Sequence, residues 1–425
     1  MSVLETRRRF LKAAVAASAG GAARTAGGAV SASLLVSLGC SWPGGARTSR
    51  RARPALGFLR QTDAASLLLA EELGFYAKGD LSPTFQRAAS PNELKDRLAA
   101  GELLATQLPA SLPLAIAHAR PAPAPDDLIT LLVLSHNGSA VTLARDLCEG
   151  VAFLDLPGLA RALRPRMAAG PLVFAVPAVG GCEDLLLRYL LAAAEVPLDK
   201  VQIRALSADR MLPELRDDHI VGFAAADPWP ALAIQQDVGF TFATAQDIWK
   251  TAPRSVLVTT RRALDERRAE LKAVVRAVME TSVWLDVPAN RVRLTVGEVL
   301  ARHQNLDLDA GPIRSRLTSV YDLGCHLGER DFEDDMLFFH HGGRVNSPRR
   351  ADALLYLALL ARFGLIPSPP RPEAVARSIR DDLYLEVARE MGVVVPDDMR
   401  PFVITLDTVR FDPNAPAEWP RLWKP

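Results

Sequence analysis

Residues 55–75, which read ALGFLRQTDAASLLLAEELGF, contain the pattern on which the fold prediction depends. Residues 55–59 are typical of a buried strand, and residues 64–73 place apolar side chains on one face of a helix. Asp63 stands where a helix cap is expected, and Gly74 is typical of a helix end. The stretch therefore predicts a strand that passes through a short polar turn into a helix.

Strand-like and helical segments alternate through most of the chain that follows. The predicted strands lie at 128–134, 140–144, 172–176, 201–205, 219–225, 240–243 and 255–259. The predicted helices lie at 92–100, 183–194, 208–216, 264–285, 295–302, 351–363 and 378–391. Such alternation argues for parallel-rich sheets covered by helices, a pattern shared by many α/β enzymes. We therefore predict an α/β fold of two lobes with parallel-rich mixed sheets and a helical C-terminal extension.

Length, charge and motifs exclude several classes of protein. The chain has 425 residues, which is enough for two or three compact units. The formal net charge is only +1, with 50 Lys and Arg against 49 Asp and Glu. That balance argues against a nucleic-acid partner, which usually needs a clustered positive face. No G-x-S-x-G, P-loop, G-x-G-x-x-G or H-E-x-x-H motif occurs, so we expect no enzymatic activity.

Four cysteines are scattered through the chain: Cys40, Cys148, Cys182 and Cys325. No two of them have the C-x-x-C spacing that is typical of a metal site. We expect the last three to be small buried thiols, because free cysteine behaves as a small apolar residue. A disulfide among those three remains an open alternative if the compartment is oxidising.

The first forty residues carry an export signal. Residues 6–12, TRRRFLK, fit the twin-arginine pattern S/T-R-R-x-F-L-K, with Arg7 and Arg8 as the paired arginines. The stretch 13–38 that follows is weakly apolar and rich in Ala and Gly, and its glycines, serines and Arg24 make it too dilute for the run of about 20 strongly apolar residues that spans a bilayer. We therefore expect the twin-arginine translocase to export the chain to the periplasm or to the outer face of the cytoplasmic membrane.

The end of this signal allows two interpretations. Cys40 follows Ser37-Leu38-Gly39, which loosely resembles a lipoprotein box. Lipidation of Cys40 would anchor the protein to the membrane, whereas cleavage alone would release it. Residues 41–54 contain four arginines and are predicted to be a flexible tether.

A series of short motifs runs from about residue 55 to about residue 365. They are GF at 57–58 with TDA at 62–64, KDRL at 95–98, LSHNG at 134–138 with AVT at 140–142, DL at 184–185 with RY at 188–189, GF at 222–223 with DPW at 227–229, DIW at 247–249, and FFH at 338–340 with NSPRR at 346–350. Taken in this order, the motifs resemble those of the nitrate- and bicarbonate-binding proteins of ABC importers. The resemblance depends on order and coverage, because each motif is short.

The resemblance implies a type II periplasmic-binding-protein fold, in which two lobes close on a small solute of the nitrate, nitrite or bicarbonate type. It also implies delivery of that solute to ABC permease subunits in the inner membrane, without a chemical reaction. On this basis the first lobe comprises 55–147 and 245–425, including the helical C-terminal part, and the second lobe comprises 148–244. A periplasmic ligand sensor that docks a membrane receptor is the alternative function.

Nine residues near strand ends and strand–helix junctions are the candidate ligand-binding residues. Solutes bind beside the carboxyl ends of strands in such sheets, which is where these residues fall. They are Thr62, Asp63, Asn137, Gly138, Ser139, Glu183, Asp227, Trp229 and Arg254. Some of them also have a purely structural interpretation, because Asp63 and Glu183 could stabilise helix starts and Asn137-Gly138 could be a turn.

Glu183 stands where the resemblance places a histidine in the nitrate-binding members, so its charge opposes an anion. At an effective dielectric constant of ~20, two like charges ~4 Å apart repel by roughly 4 kcal/mol. Three explanations are open. Arg254 or Arg188 could compensate Glu183, or a Ca²⁺ ion could bridge Glu183 and Asp227, as the resemblance to bicarbonate-binding members suggests. The third is a neutral or cationic solute of the pyrimidine or amine type; no other cofactor is expected.

Overall fold

The computed structural model describes residues 52–120, 122–286, 290–302, 304–333, 336–367 and 370–415. The predicted export signal lies outside the described residues, together with Arg7, Arg8 and the lipidation candidate Cys40. The end of the predicted tether is described, and the boundary at residue 54 is wrong. The Ala52 amide donates to the Asp80 carbonyl at 3.1 Å, so the chain already joins the edge of a sheet at this residue.

Ten strands form two five-stranded sheets, and each sheet organises one lobe. The first contains β1 (Ala55–Leu59), β2 (Thr84–Ala88), β3 (Ala105–Pro109), β4 (Leu128–His136) and β10 (Pro253–Thr260), in the order β2-β1-β3-β10-β4. The second contains β5 (Ser139–Ala144), β6 (Leu172–Val176), β7 (Val201–Ala205), β8 (Gly222–Ala226) and β9 (Gly239–Thr244), in the order β7-β6-β8-β5-β9. The predicted α/β class with mixed sheets is confirmed.

The two sheets have matching topologies. In the first, β1 pairs in parallel with β2 and β3, while β10 runs antiparallel to β3 and β4. In the second, β6 pairs in parallel with β7 and β8, while β5 runs antiparallel to β8 and β9. The chain passes between the sheets at residues 137–138 and again at 245–252. The first passage comes before the predicted boundary at 147, because β5 belongs to the second sheet.

Helices cover both sheets, and none in the described part of the chain is long and apolar enough to cross a bilayer. The α-helices are Ala65–Glu72, Phe75–Lys78, Pro91–Ala99, Leu112–Ala119, Leu156–Ala169, Cys182–Ala193, Ala208–Arg216, Trp229–Gln235, Ala245–Ile248, Arg261–Glu266, Arg268–Leu285, Asn290–Leu300, Ala310–Leu317, Arg350–Arg362, Glu373–Ser378 and Asp382–Met391. Short 3₁₀-helices lie at Thr62–Ala64, Arg145–Gly150, Leu198–Lys200 and His341–Gly343. Two strand pairs complete the C-terminal part: β11 (Val320–Asp322) with β12 (Glu329–Asp331), and β13 (Phe402–Val403) with β14 (Arg410–Phe411).

The helix Arg268–Leu285 shows how apolar spacing fixes the packing of the first lobe. Leu271, Val274 and Val278 are fully buried, at the three- and four-residue spacing that places side chains on one helical face. This face belongs to the same apolar core as the helix Ala65–Glu72, against which it packs. Burial of each such side chain contributes about 1.5–3 kcal/mol relative to exposure.

The C-terminal part packs on both lobes, whereas the sequence assigned it to the first lobe alone. The helix Arg350–Arg362 contacts Leu112–Ala119 of the first lobe and Cys182–Ala193 of the second. Further along the chain, Phe402 stacks on Trp249 with ring centroids 5.5 Å apart. The apolar surface of this part therefore bridges the two lobes.

A disulfide joins the second lobe to the C-terminal part. Cys148, in the 3₁₀-helix Arg145–Gly150, is bonded to Cys325 with their Cα atoms 6.5 Å apart. The expectation of buried thiols is therefore wrong for these two residues, since the fold brings together positions 177 residues apart. It agrees with the structure only for Cys182, which is buried and free.

Asp352, in the helix Arg350–Arg362, gives the fold a testable pH dependence. Burial raises the pKa of Asp352 to about 6, although the Arg349 guanidinium at 3.5 Å opposes this shift. The folded state therefore keeps a proton that the unfolded chain loses near pH ~4, and the group destabilises the fold as pH rises from about 4 to about 6. At about 1.4 kcal/mol per pKa unit, the free energy of unfolding decreases by an amount on the order of 1–3 kcal/mol over this pH range.

Asp352→Asn is expected to remove this loss. Urea unfolding at about pH 4 and about pH 7.5 should show a smaller decrease in the free energy of unfolding for the variant than for the parent protein. The control is Asp199→Asn, which changes an exposed carboxylate and should leave the decrease unchanged. Equal decreases in Asp352→Asn and the parent would contradict the prediction.

Candidate functional site

The cleft between the lobes contains a cavity of about 230 Å³. Residues at or just beyond the carboxyl ends of β1, β2, β6, β7 and β8 line it. Arg60, Gln61 and Arg87 come from the first lobe, and Asp209 and Trp229 come from the second. Sheets of this kind bind solutes where the carboxyl ends of their strands meet, so the cavity is the candidate functional site.

A buried ion-pair network lies between the lobes next to this cavity, with Arg254 at its centre. The Nη1 group of Arg254, in β10, donates to the Asp63 carboxylate of the first lobe. Its Nη2 group lies 2.8 Å from Oε1 of Glu183 in the second lobe. None of the three side chains is more than 3% exposed. One guanidinium group therefore joins the two lobes through two carboxylates.

Asp63 is held in place by an amide from the middle of β3. Nε2 of Gln107 donates to Oδ1 of Asp63 at 2.8 Å, and Oε1 of Gln107 accepts from the Leu59 amide at 3.0 Å. The same Nε2 lies 3.5 Å from Oε1 of Gln61, which lines the cavity. The predicted helix-cap role of Asp63 is wrong, because the helix begins after Ala64 and no side chain caps it.

Two carboxylates compensate the charge of the buried Arg254 guanidinium. Burial by itself would lower the pKa of Arg254, but the carboxylates of Asp63 and Glu183 outweigh burial and raise it. Arg188, the other predicted partner of Glu183, instead pairs with Asp184 at 2.7 Å. The compensation of Glu183 therefore comes from Arg254.

A second arginine reaches the site from the C-terminal part. Nε of Arg316 lies 3.4 Å from Oδ1 of Asp227, and neither side chain is more than 3% exposed. Burial raises the pKa of Asp227 to about 6, while Arg316 and Arg254 act to lower it. The Asp227 carbonyl also accepts a hydrogen bond from the Thr62 amide at 2.7 Å. Asp227 therefore connects the second lobe to both the first lobe and the C-terminal part.

Asn137, Gly138 and Ser139 form the first passage between the lobes. Asn137 and Gly138 have φ angles of 62° and 77°, in the left-handed region. A Cβ atom on Gly138 would lie only 2.6 Å from a methyl carbon of Leu337, so a larger residue would displace that side chain and would also be strained at this positive φ angle. Ser139 then begins β5 and pairs with Ala226. This geometry agrees with the predicted turn.

Trp229 connects the network to the cavity. Its Nε1 group donates across the cleft to the Arg60 carbonyl at 2.8 Å, and the Arg60 guanidinium carbon lies 5.7 Å from the indole centroid. Its ring lines the cavity and is otherwise buried. The residue therefore helps to hold the lobes together and also forms part of the cavity wall.

The carboxylates of the network do not fit a calcium ion. Glu183 is paired with Arg254 and Asp227 with Arg316, whereas Ca²⁺ needs six to eight oxygen ligands. Within the described ranges, no group of three or more His, Cys, Asp and Glu side chains is placed to hold a metal. The predicted Ca²⁺ bridge would need both arginines to move away.

Six contributors to the site were missed in the sequence: Arg60, Gln61, Arg87, Gln107, Asp209 and Arg316. Arg60 directly follows β1 and Arg87 lies near the end of β2. Because solutes bind beside the carboxyl ends of strands, both could have been identified from the sequence. Gln107 is a polar residue inside a wholly buried strand, which is also a usable signal. Arg316 lies in a helix 89 positions after Asp227, and nothing local indicates their contact.

Several known proteins are similar to this chain. The model of the NMT1-like family matches residues 48–296. The nitrate import ATP-binding protein NrtC of Synechocystis is 30% identical over 368 residues, which are 85% of this chain and 53% of that relative. The chain therefore spans about half of that relative's length. The nitrate/nitrite binding protein NrtA of Synechococcus elongatus is 26% identical over an alignment of 435 positions that covers 97% of each chain.

A solved structure shows the same fold. The crystal structure of the periplasmic nitrate-binding protein NrtA from Synechocystis PCC 6803 superimposes with a TM-score of 0.81 at 23% sequence identity. The superposition covers 88% of this chain and 98% of that chain. The predicted two-lobed periplasmic-binding-protein fold is thereby confirmed.

Proposed function

The chain belongs to the NMT1-like family, and on this premise we propose that it is the solute-binding component of an ABC importer. The two sequence relatives are named for nitrate import and for nitrate and nitrite binding. In the proposed role the chain captures a small solute of this oxyanion class between its lobes and delivers it to permease subunits in the inner membrane. It carries out no chemical reaction.

One observation carries the proposal: strand ends from both sheets line a single cavity between the lobes. A solute there would contact both lobes at once and would favour the closed arrangement over an open one. Asp63, Glu183, Asp227 and Arg254 are proposed to hold the lobes together below the solute. Thr62, Asn137, Gly138 and Ser139 are proposed to fix the passage that sets the relative position of the lobes, and Trp229 to contact the solute.

The twin-arginine motif at Arg7 and Arg8 supports a placement outside the cytoplasm. We propose that the translocase exports the folded chain and that it works in the periplasm or on the outer face of the cytoplasmic membrane. Lipidation of Cys40 would keep it close to the permease, with residues 41–51 as the tether.

A solute panel tests the proposed function. Nitrate, nitrite, bicarbonate with and without calcium, small carboxylates, amines and pyrimidines are added at matched ionic strength while thermal unfolding is followed. A true ligand at about 100 times its Kd should stabilise the fold by about 2.7 kcal/mol.

Solute-dependent stimulation of ATP hydrolysis by the cognate transporter in proteoliposomes would support the importer role. Solute binding without stimulation would favour the receptor-docking sensor, and the absence of any ligand would overturn both.

A further inference from the structure

The ion-pair network has no cation available for a bare inorganic anion. Arg254 already contacts two carboxylates, and Arg316 contacts a third. The space beside Glu183 has a volume of about 10 Å³, which is close to the minimum for one water molecule. An anion that bound Arg254 within the network would have to displace Asp63 or Glu183 from it and leave a buried carboxylate unpaired.

The cavity near Trp229 is much larger than this space. Its volume of about 230 Å³ corresponds to roughly seven water molecules at ~30 Å³ each. A four-atom anion such as nitrate would leave most of that volume to water. The cavity is therefore better matched to an organic molecule that carries an anionic head group.

Two guanidinium groups from the first lobe line this cavity. Arg60 donates through Nε to the Leu306 carbonyl at 2.8 Å and through Nη2 to the Asp307 carbonyl, so neutral oxygens hold it without cancelling its charge. Arg87 lies near the Asp307 carboxylate, with Nη1 and Oδ2 3.6 Å apart. Burial lowers the pKa of Arg60, and the nearby charge of Arg87 lowers it further, while Asp307 and Asp209 oppose the shift. A bound anion near both guanidinium groups would further compensate their like charges, which the Asp307 carboxylate already offsets in part.

Building on the proposed function, we propose that this cavity takes a small organic carboxylate, with its head group at Arg60 and Arg87 and its apolar body against Trp229. Planar guanidinium groups match carboxylate geometry and form charge-assisted hydrogen bonds to it. Trp229 offers a flat apolar surface in the opposite wall. Asp209 also lines the cavity, where its charge acts on Arg60, and it disfavours a second negative charge on the solute, so the ligand is a monoanion.

The test compares benzoate, butyrate, methanesulfonate and nitrate by calorimetry and thermal unfolding at matched ionic strength. Benzoate or butyrate is expected to bind more tightly than nitrate, and Arg87→Gln is expected to weaken this binding by about tenfold or more. Arg60→Lys keeps the positive charge but removes the planar guanidinium group, so it should also weaken carboxylate binding. The matched control is Arg161→Gln, which changes an exposed arginine on a helix of the second lobe away from the cleft.

The outcomes separate this inference from the proposed function. Nitrate binding that is unaffected by Arg87→Gln would overturn the inference and leave the importer role standing. Methanesulfonate binding without carboxylate binding would overturn the carboxylate assignment. Carboxylate binding that depends on Arg87, but does not stimulate ATP hydrolysis by the transporter, would support the site and overturn the importer role. Stabilisation by amines or pyrimidines alone would overturn the inference.

Discussion

Replacement of Arg254 by methionine is expected to lower the free energy of unfolding by about 3–5 kcal/mol, because it leaves buried carboxylates without a partner. Asp63 and Glu183 would each lose the guanidinium that compensates them, and neither is more than 2% exposed. Since these carboxylates belong to different lobes, their mutual repulsion would also favour separation of the lobes. The loss should therefore be largest at neutral pH and smaller at pH ~4, where carboxylates take up protons.

Urea unfolding followed by circular dichroism measures this effect, and two further variants identify its cause. Arg161→Met is the matched control, since Arg161 is 65% exposed and its pair with Asp155 spans 3.7 Å; it should change stability by less than about 0.5 kcal/mol. Adding Asp63→Asn and Glu183→Gln to Arg254→Met should recover much of the loss, because no unpaired charge then remains. A full loss in this triple variant would show that packing of the Arg254 side chain, and not its charge, stabilises the site.

The balance of charges in the network explains how a glutamate can occupy this position, where the family resemblance places a histidine. Three carboxylates face two guanidinium groups, which leaves one excess negative charge when all are ionised. Because the pKa of Asp227 is raised to about 6, protonation of this one residue makes the network neutral in mildly acidic surroundings. Glu183 therefore acts within an internal network, and the neutral or cationic solute is no longer needed to account for its charge.

Much of the fold could be predicted from the sequence because its determinants are local. The strand at 55–59 and the junction before the helix Ala65–Glu72 follow from apolar spacing and turn residues. The predicted ends of helices and strands were less accurate where packing, and not local sequence, determines the backbone conformation. The predicted helix 264–285 is divided at Arg267, which adopts φ −126° and ψ 32°. No residue type at this position indicates the break.

The candidate site could be predicted only as a set of positions and not as a set of contacts. Asp63, Glu183 and Arg254 were each identified from strand ends, helix starts or the family resemblance. Their pairing depends on how the two lobes face each other, and Asp63 and Arg254 are 191 positions apart in the sequence. Arg316 lies 89 positions after Asp227 in the C-terminal part, and the attachment of that part to both lobes has no local signal.

Loss of the disulfide between Cys148 and Cys325 is expected to lower the free energy of unfolding by about 3–5 kcal/mol. The bond closes a loop with a sequence separation of 177 residues, and cross-links of that length strongly restrict the unfolded chain. It also ties the C-terminal part to the second lobe, next to the segment in which the Thr241 amide donates to the Leu323 carbonyl at 2.8 Å. Its removal should therefore loosen the attachment of this part as well.

Cys325→Ser isolates the contribution of the cross-link, because Cys325 is exposed and its side chain contributes little packing. Urea unfolding of this variant should show a lower midpoint than the oxidised protein, together with a steeper dependence on urea, since an unfolded chain without the cross-link exposes more surface. The parent protein under reducing conditions should match the variant. In contrast, Cys182→Ser changes a buried free thiol, so it should leave the urea dependence of the oxidised protein unchanged. If the oxidised protein and Cys325→Ser unfolded at the same urea concentration, the cross-link would make no contribution to stability.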